Sequence, residues 1–114
     1  VTSEGALDKK AWGTRAKWTT FYGPDAKGET VSVTIFDHPQ NLRHPTWWHA
    51  RDYGLFAANP FGIHDFEKAE GKTRGDRVVA KGQIVTQRYR VLVSKGAPDQ
   101  ARLAEVFQSF SQTK

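Results

Sequence analysis

Hydrophobic and polar positions alternate most cleanly between Glu29 and Phe36. Val31, Val33 and Ile35 share one parity, Thr30, Ser32 and Thr34 the other, which is the two-residue period of a half-buried strand. Upstream, residues Trp12 to Tyr22 mix aromatics with threonine, a composition that favours a strand, and put Trp12, Trp18 and Tyr22 on one face. Pro24 and Gly28 supply turn chemistry between the two, so an antiparallel hairpin is expected. Residues Gln83 to Val93 return to a strand pattern. Val85, Tyr89, Val91 and Val93 are expected to point inward, with Thr86, Arg88 and Arg90 forming a basic outer face of the kind that discourages edge-to-edge pairing.

The remaining segments punctuate that pattern. Val1 to Lys10 has no clear period and reads as an irregular lead-in, although Val1 to Glu4 could finish a strand that begins earlier. Tyr53 to Ala58 is a short apolar run expected as a buried strand, ended by Asn59-Pro60. Glu67 to Arg77 is charged and reads as a surface loop, with an exposed hairpin as the alternative. Pro98-Asp99 opens the one good helix, in which Leu103, Val106, Phe107 and Phe110 repeat at the spacing of a single buried face.

These elements predict a mainly β, antiparallel protein with one C-terminal helix. Four or five strands in one sheet have two faces to cover, and one helix covers only part of one. The chain therefore reads as a single domain over 1–114 or as the C-terminal portion of a larger β-sandwich. A missing N-terminal segment or another chain would complete that sandwich. Its start at Val1 without methionine fits a trimmed or partial polypeptide.

Composition narrows the classes. At 114 residues, with 38% hydrophobic and 25% charged positions, the chain suits one globular core. No apolar run approaches the roughly 20 residues of a membrane-spanning helix. The net charge of +5 is dispersed rather than interleaved with aromatics, which argues against nucleic acid as a partner. The absence of cysteine excludes disulfides, thiolate metal sites and a cysteine nucleophile.

One stretch departs from this average. Phe36 to Phe66 holds all four histidines, two of the four tryptophans, three of the five prolines and no lysine. Three chemistries fit. Trp47, Trp48, Tyr53 and Phe61 beside Arg43, His44, His49 and Asn59 join apolar platforms to directional hydrogen-bond groups. That mixture suits a carbohydrate or a protein interface. Histidine with a carboxylate can move protons. Adjacent pairs such as His64-Asp65 and Asp37-His38 point to opposite faces of a strand, so a working pair has to be assembled across the fold, for example His49 with Asp65. Histidine also binds copper or zinc, but the separations of His38, His44, His49 and His64 match no helical ligand pair.

The first expectation is a carbohydrate-binding or carbohydrate-active site with His49 and His64 as proton-transfer candidates and Asp65 as their partner. His38, Arg43, His44, Trp47, Tyr53 and Asn59 would line the substrate. This reading needs no cofactor. The alternatives are a histidine-rich copper or zinc site and an interaction module within a larger assembly.

The runs Phe36-Asp37-His38-Pro39, Asn41 to Thr46, Trp48-His49, Arg51 to Gly62 and His64-Asp65-Phe66, with Trp12 to Ala16 and Arg88-Tyr89-Arg90, resemble bacterial proteins labelled "methane oxygenase PmoA", over nearly the whole chain. Those proteins are longer, and the chain is similar to their C-terminal portion. The resemblance implies a β-sandwich of the galactose-mutarotase-like kind, often exported and often encoded near sugar oxidoreductases. It places the chain in the bacterial periplasm or outside the cell. In mutarotases a glutamate base and histidines act on the sugar ring, and no glutamate of this chain matches that base.

Overall fold

The computed structural model describes residues 1–68, 70–71 and 73–114. Positions 69 and 72 of the expected 67–77 loop lie outside the described residues. Three strands, β1 (Trp18–Pro24), β2 (Thr30–Asp37) and β5 (Tyr89–Lys95), form an antiparallel sheet in the order β1-β2-β5. The hairpin expected from the alternation is present, with Phe21 opposite Val33 and Val33 opposite Val93. Its turn is closed by the Asp25 carboxylate, which accepts the backbone N–H groups of Lys27 at 2.8 Å and Glu29 at 2.9 Å. A short ribbon, β3 (Trp48–Ala50) with β4 (Phe56–Ala58), forms a second sheet. A 3₁₀ turn (Asp8–Ala11), a helical turn, α1 (Ile63–Phe66), and the C-terminal helix α2 (Gln100–Ser111) are the other elements among the described residues.

Helix α2 begins where the sequence says it should. The Asp99 carboxylate caps the backbone N–H groups of Ala101 and Arg102 at 3.0 and 3.3 Å, supplying acceptors that the first turn cannot find within the helix. Leu103 and Phe110 then pack on Trp18 and Phe36 of the sheet, with Leu92, Val106 and Phe107 around them. Burial of each large apolar side chain contributes about 1.5–3 kcal/mol, so this cluster fixes the helix on the sheet.

The face it covers is the opposite of the one expected for β2 and β5. Trp18, Thr20, Thr34, Phe36 and Leu92 lie under the helix side, whereas Val91 and Val93 are 60% and 70% exposed. Thr20 and Thr34 tolerate burial because their hydroxyls bond each other across the strands at 2.7 Å. On the other face, Phe56 of the ribbon meets Phe21 of β1, ring centroids 5.9 Å apart. The ribbon thus reaches β1, and the β5 end of that face stays open to solvent.

Three further expectations are corrected. The first strand starts at Trp18 rather than Trp12, because residues 8–11 form a 3₁₀ turn and Gly13 takes a positive φ of 70°. The last strand starts at Tyr89 rather than Gln83, since, among the described residues, 84–88 meet no partner strand. The run Tyr53 to Ala58 is strand only from Phe56 and is half-buried. The lead-in does lie beside β1 through an antiparallel Thr2–Thr19 bridge.

Candidate functional site

The loop after β2 is built around one carboxylate. Asp37 is fully buried and accepts three bonds: the Asn41 side-chain amide at 2.8 Å, the Thr46 backbone N–H at 3.0 Å and the His44 Nδ1 at 2.7 Å. Asn41 extends the arrangement, since its amide pairs with the backbone N–H and carbonyl of Arg88 at 2.6 Å each. It thereby continues the sheet beyond the end of β5 with a side chain in place of a strand. The His44 ring stacks on Phe107 of α2 at 6.1 Å and 7°. Sequence reasoning set Asp37 aside because it adjoins His38; its partner is His44, seven positions on.

The other predicted residues are distributed. His38 is buried, accepts the Gln40 backbone N–H at Nδ1 and meets the Thr113 carbonyl at Nε2, 2.9 Å away. Its ring therefore carries its proton on Nε2 and ties the end of α2 to the loop. Arg43, at φ 59°, donates to the carbonyls of Pro60 at 2.7 Å, Asp76 at 3.1 Å and Gly75. Gly75 is required there: at φ 102° a Cβ would lie 2.5 Å from the Phe61 carbonyl oxygen. Trp47 is buried, bonds Glu67 through Nε1 at 2.8 Å and lies under the Arg15 guanidinium. Asn59 closes its own turn by accepting the Phe61 backbone N–H.

His49 packs edge-on against Trp12 and Phe66, at 6.0 and 5.7 Å. His64 and Asp65 lie on α1, with Asp65 exposed. The structure thus brings His49 to an aromatic cluster, and it pairs the Asp37 carboxylate with His44. Among the described residues, no three His, Asp or Glu side chains are grouped as a metal would require. The Asp37–His44 pair can do what such pairs do generally: the carboxylate fixes the tautomer and direction of an imidazole whose side chain is 15% exposed.

A groove lies elsewhere. It measures about 720 Å³ and runs between β1 and the turn after β3, lined by Trp12, Phe21, Tyr22, Arg51, Asp52 and Tyr53 with Asp8 and Lys9 at its side. Of the predicted site residues, Tyr53 alone lines it, 75% exposed. Trp12 is held in place by the Arg51 guanidinium, 4.7 Å from its ring, and by Phe66 edge-on at 5.1 Å. The same wall contains two buried polar atoms without a partner among the described residues, Trp12 Nε1 and Thr19 Oγ1. The sequence reading places Trp12 on the face of an expected strand and names neither Arg51 nor Asp52 as a site residue. The one usable signal was the exposed-turn composition Arg51-Asp52-Tyr53-Gly54.

Residues 1–108 match the model of a family described as "Family of unknown function (DUF6807)". The chain belongs to that family. This corrects the likeness to proteins labelled methane oxygenase PmoA, because the family matched is one of unknown function and nothing indicates a PmoA relationship. No curated protein and no solved structure matches the chain. What is shown for this DUF6807 member is antiparallel β structure with a C-terminal helix, and among the described residues no helix long and apolar enough to cross a membrane.

Proposed function

We propose that this chain is a carbohydrate-binding β-sandwich protein whose sugar site is the groove between β1 and residues 50–53. The observation that carries the reading is the groove's lining. Its volume of about 720 Å³ falls within the usual range for small-ligand sites. Its exposed aromatics, Tyr53, Tyr22 and Phe21, offer apolar rings, and the two tyrosines add a polar tip. Arg51, Asp52, Asp8 and Lys9 stand beside them as donors and acceptors for hydroxyls. A sugar presents matching groups, an apolar ring face and a hydroxyl rim.

The same reading assigns the sheet to a galactose-mutarotase-like sandwich, supported by a ribbon that begins to cover the second face. It assigns binding rather than proton transfer to the groove, since Asp37 and His44 are not among its lining residues. The test is titration of neutral monosaccharides and short oligosaccharides, followed by tryptophan fluorescence and calorimetry. Saturable binding is expected. Tyr53→Ala and Arg51→Ala should each weaken it by about tenfold, or about 1.4 kcal/mol, with the denaturation midpoint unchanged. The absence of saturable sugar binding, or binding indifferent to both substitutions, overturns the assignment.

A further inference from the structure

The segment from Thr73 to Lys95 combines three properties that do not ordinarily occur together. It holds six basic side chains, Arg74, Arg77, Lys81, Arg88, Arg90 and Lys95, against one carboxylate, Asp76, a net of +5. The whole chain is also +5, so the rest of it sums to neutrality. The same segment exposes aliphatic side chains: Val78 is 84% and Ile84 89% exposed, with Val91 and Val93 following on β5. Its backbone is also open. β5 is an outer strand of its sheet and, among the described residues, pairs with β2 alone. Across the preceding excursion 77–87, among the described residues, the backbone is bonded only at the turn, from the Gln83 N–H to the Ala80 carbonyl and from the Ala80 N–H to the Gln83 side chain.

Each property alone has an ordinary explanation. Basic residues on an outer strand discourage aggregation, and single exposed aliphatics are normal. Charge repulsion does not explain why β-branched apolar residues stand on the same strand and the leg that leads into it. An unpaired edge with aliphatic side chains and a cationic surround is complementary to one kind of occupant. We propose that residues 84–95, with the excursion before them, form a docking edge for an extended acidic polypeptide segment that alternates aliphatic and carboxylate side chains. The segment would add to β5 through backbone hydrogen bonds, in the manner of strand addition. Its aliphatic residues would cover Val91 and Val93, and its carboxylates would face the arginines and lysines.

Charge selects this occupant over a second copy, which would bring another +5 to the same edge. A membrane surface would want aliphatic residues at the tip of the excursion, where Lys81, Gly82 and Gln83 stand instead. Nucleic acid would want stacking platforms, and Tyr89 is the one aromatic in the segment. The proposal is independent of the sugar site.

The test uses the whole chain and three probes: a capped peptide alternating valine with glutamate, the same peptide with lysine for glutamate, and vesicles containing phosphatidylserine. Binding is followed by amide chemical shifts and calorimetry. The valine–glutamate peptide is expected to bind saturably, to shift amides within residues 84–95, and to weaken as salt rises. The pair Val91→Thr with Val93→Thr keeps β-branched side chains on an exposed strand and should lower affinity about tenfold. The pair Arg77→Glu with Lys81→Glu should do the same. The proposal is overturned if the acidic peptide does not bind, if the lysine peptide binds equally well, if only vesicles shift these amides, or if light scattering shows a dimer formed through this edge.

Discussion

Two regions of this molecule are rich in functional residue types, and they use them in opposite ways. The loop from Asp37 to Trp47 turns its polar groups inward: Asp37 serves three donors, Asn41 serves Arg88, and Arg43 serves three carbonyls. The groove beside residues 50–53 turns them outward, with Tyr53, Arg51 and Asp52 on an open surface. Composition alone ranks the first region as the site. Hydrogen-bond accounting ranks the second, because a side chain whose polar atoms are already bonded inside the fold has less left to offer a ligand.

One substitution made in both regions breaks the comparison if it is wrong. Asp37→Ala leaves three inward-facing donors without an acceptor, and losing one partner of a buried charged network costs about 3–5 kcal/mol. Asp52→Ala, on an exposed turn, should stay within about 0.5 kcal/mol while reducing sugar binding. Chemical denaturation of the two variants decides the matter. Equal midpoints would mean that the Asp37 network is not what holds the loop.

Leu103→Ala sets the scale for packing without polar chemistry. Leu103 is 5% exposed in the cluster with Trp18, Phe36 and Phe110, and its truncation should cost about 2–5 kcal/mol. Asp99→Ala removes two capping bonds at the start of α2 and should cost about 1 kcal/mol. A cap variant as damaging as Leu103→Ala would show that the helix depends on its terminus rather than on its buried face.

Much of the fold was legible in the sequence, and the failures share a cause. Alternation in Thr30 to Ile35 correctly located β2, and the Leu103, Val106, Phe107, Phe110 repeat located α2. Alternation says which residues share a face, not which face is covered. The helix settled on the side with fewer but larger residues, Trp18 and Phe36, and the cross-strand pair Thr20–Thr34 satisfied itself there. The false start of β5 at Gln83 came from β-branched residues that have strand character but no described neighbour to pair with. In the loop, the Asp37–His44 pair was invisible because nothing in a spacing of seven signals that a chain will fold back on itself. The groove was invisible because Trp12 and Tyr53 are 41 positions apart in sequence and meet only in space.

Tyr89 gives the smallest effect and the finest test, because it sits where the inward-facing loop meets the open edge. It stands opposite Asp37 across β2 and β5. Burial raises its phenol above the ordinary value of 10.0, and the nearby Asp37 charge raises it further; its hydroxyl lies 2.7 Å from the Gln87 side-chain oxygen, which only the protonated form can use as an acceptor. A raised value means that the native state favours the neutral phenol. The associated stability is fully present below pH 10.0 and is lost as the pH climbs through the higher native value. The alkaline phenolate difference spectrum between the parent and Tyr89→Phe should therefore show a midpoint above that of free tyrosine. Tyr89→Phe should also lose less stability than the parent over the same alkaline range. A midpoint at or below the ordinary value would place the Tyr89 ring in solvent and detach the open edge from the loop behind it.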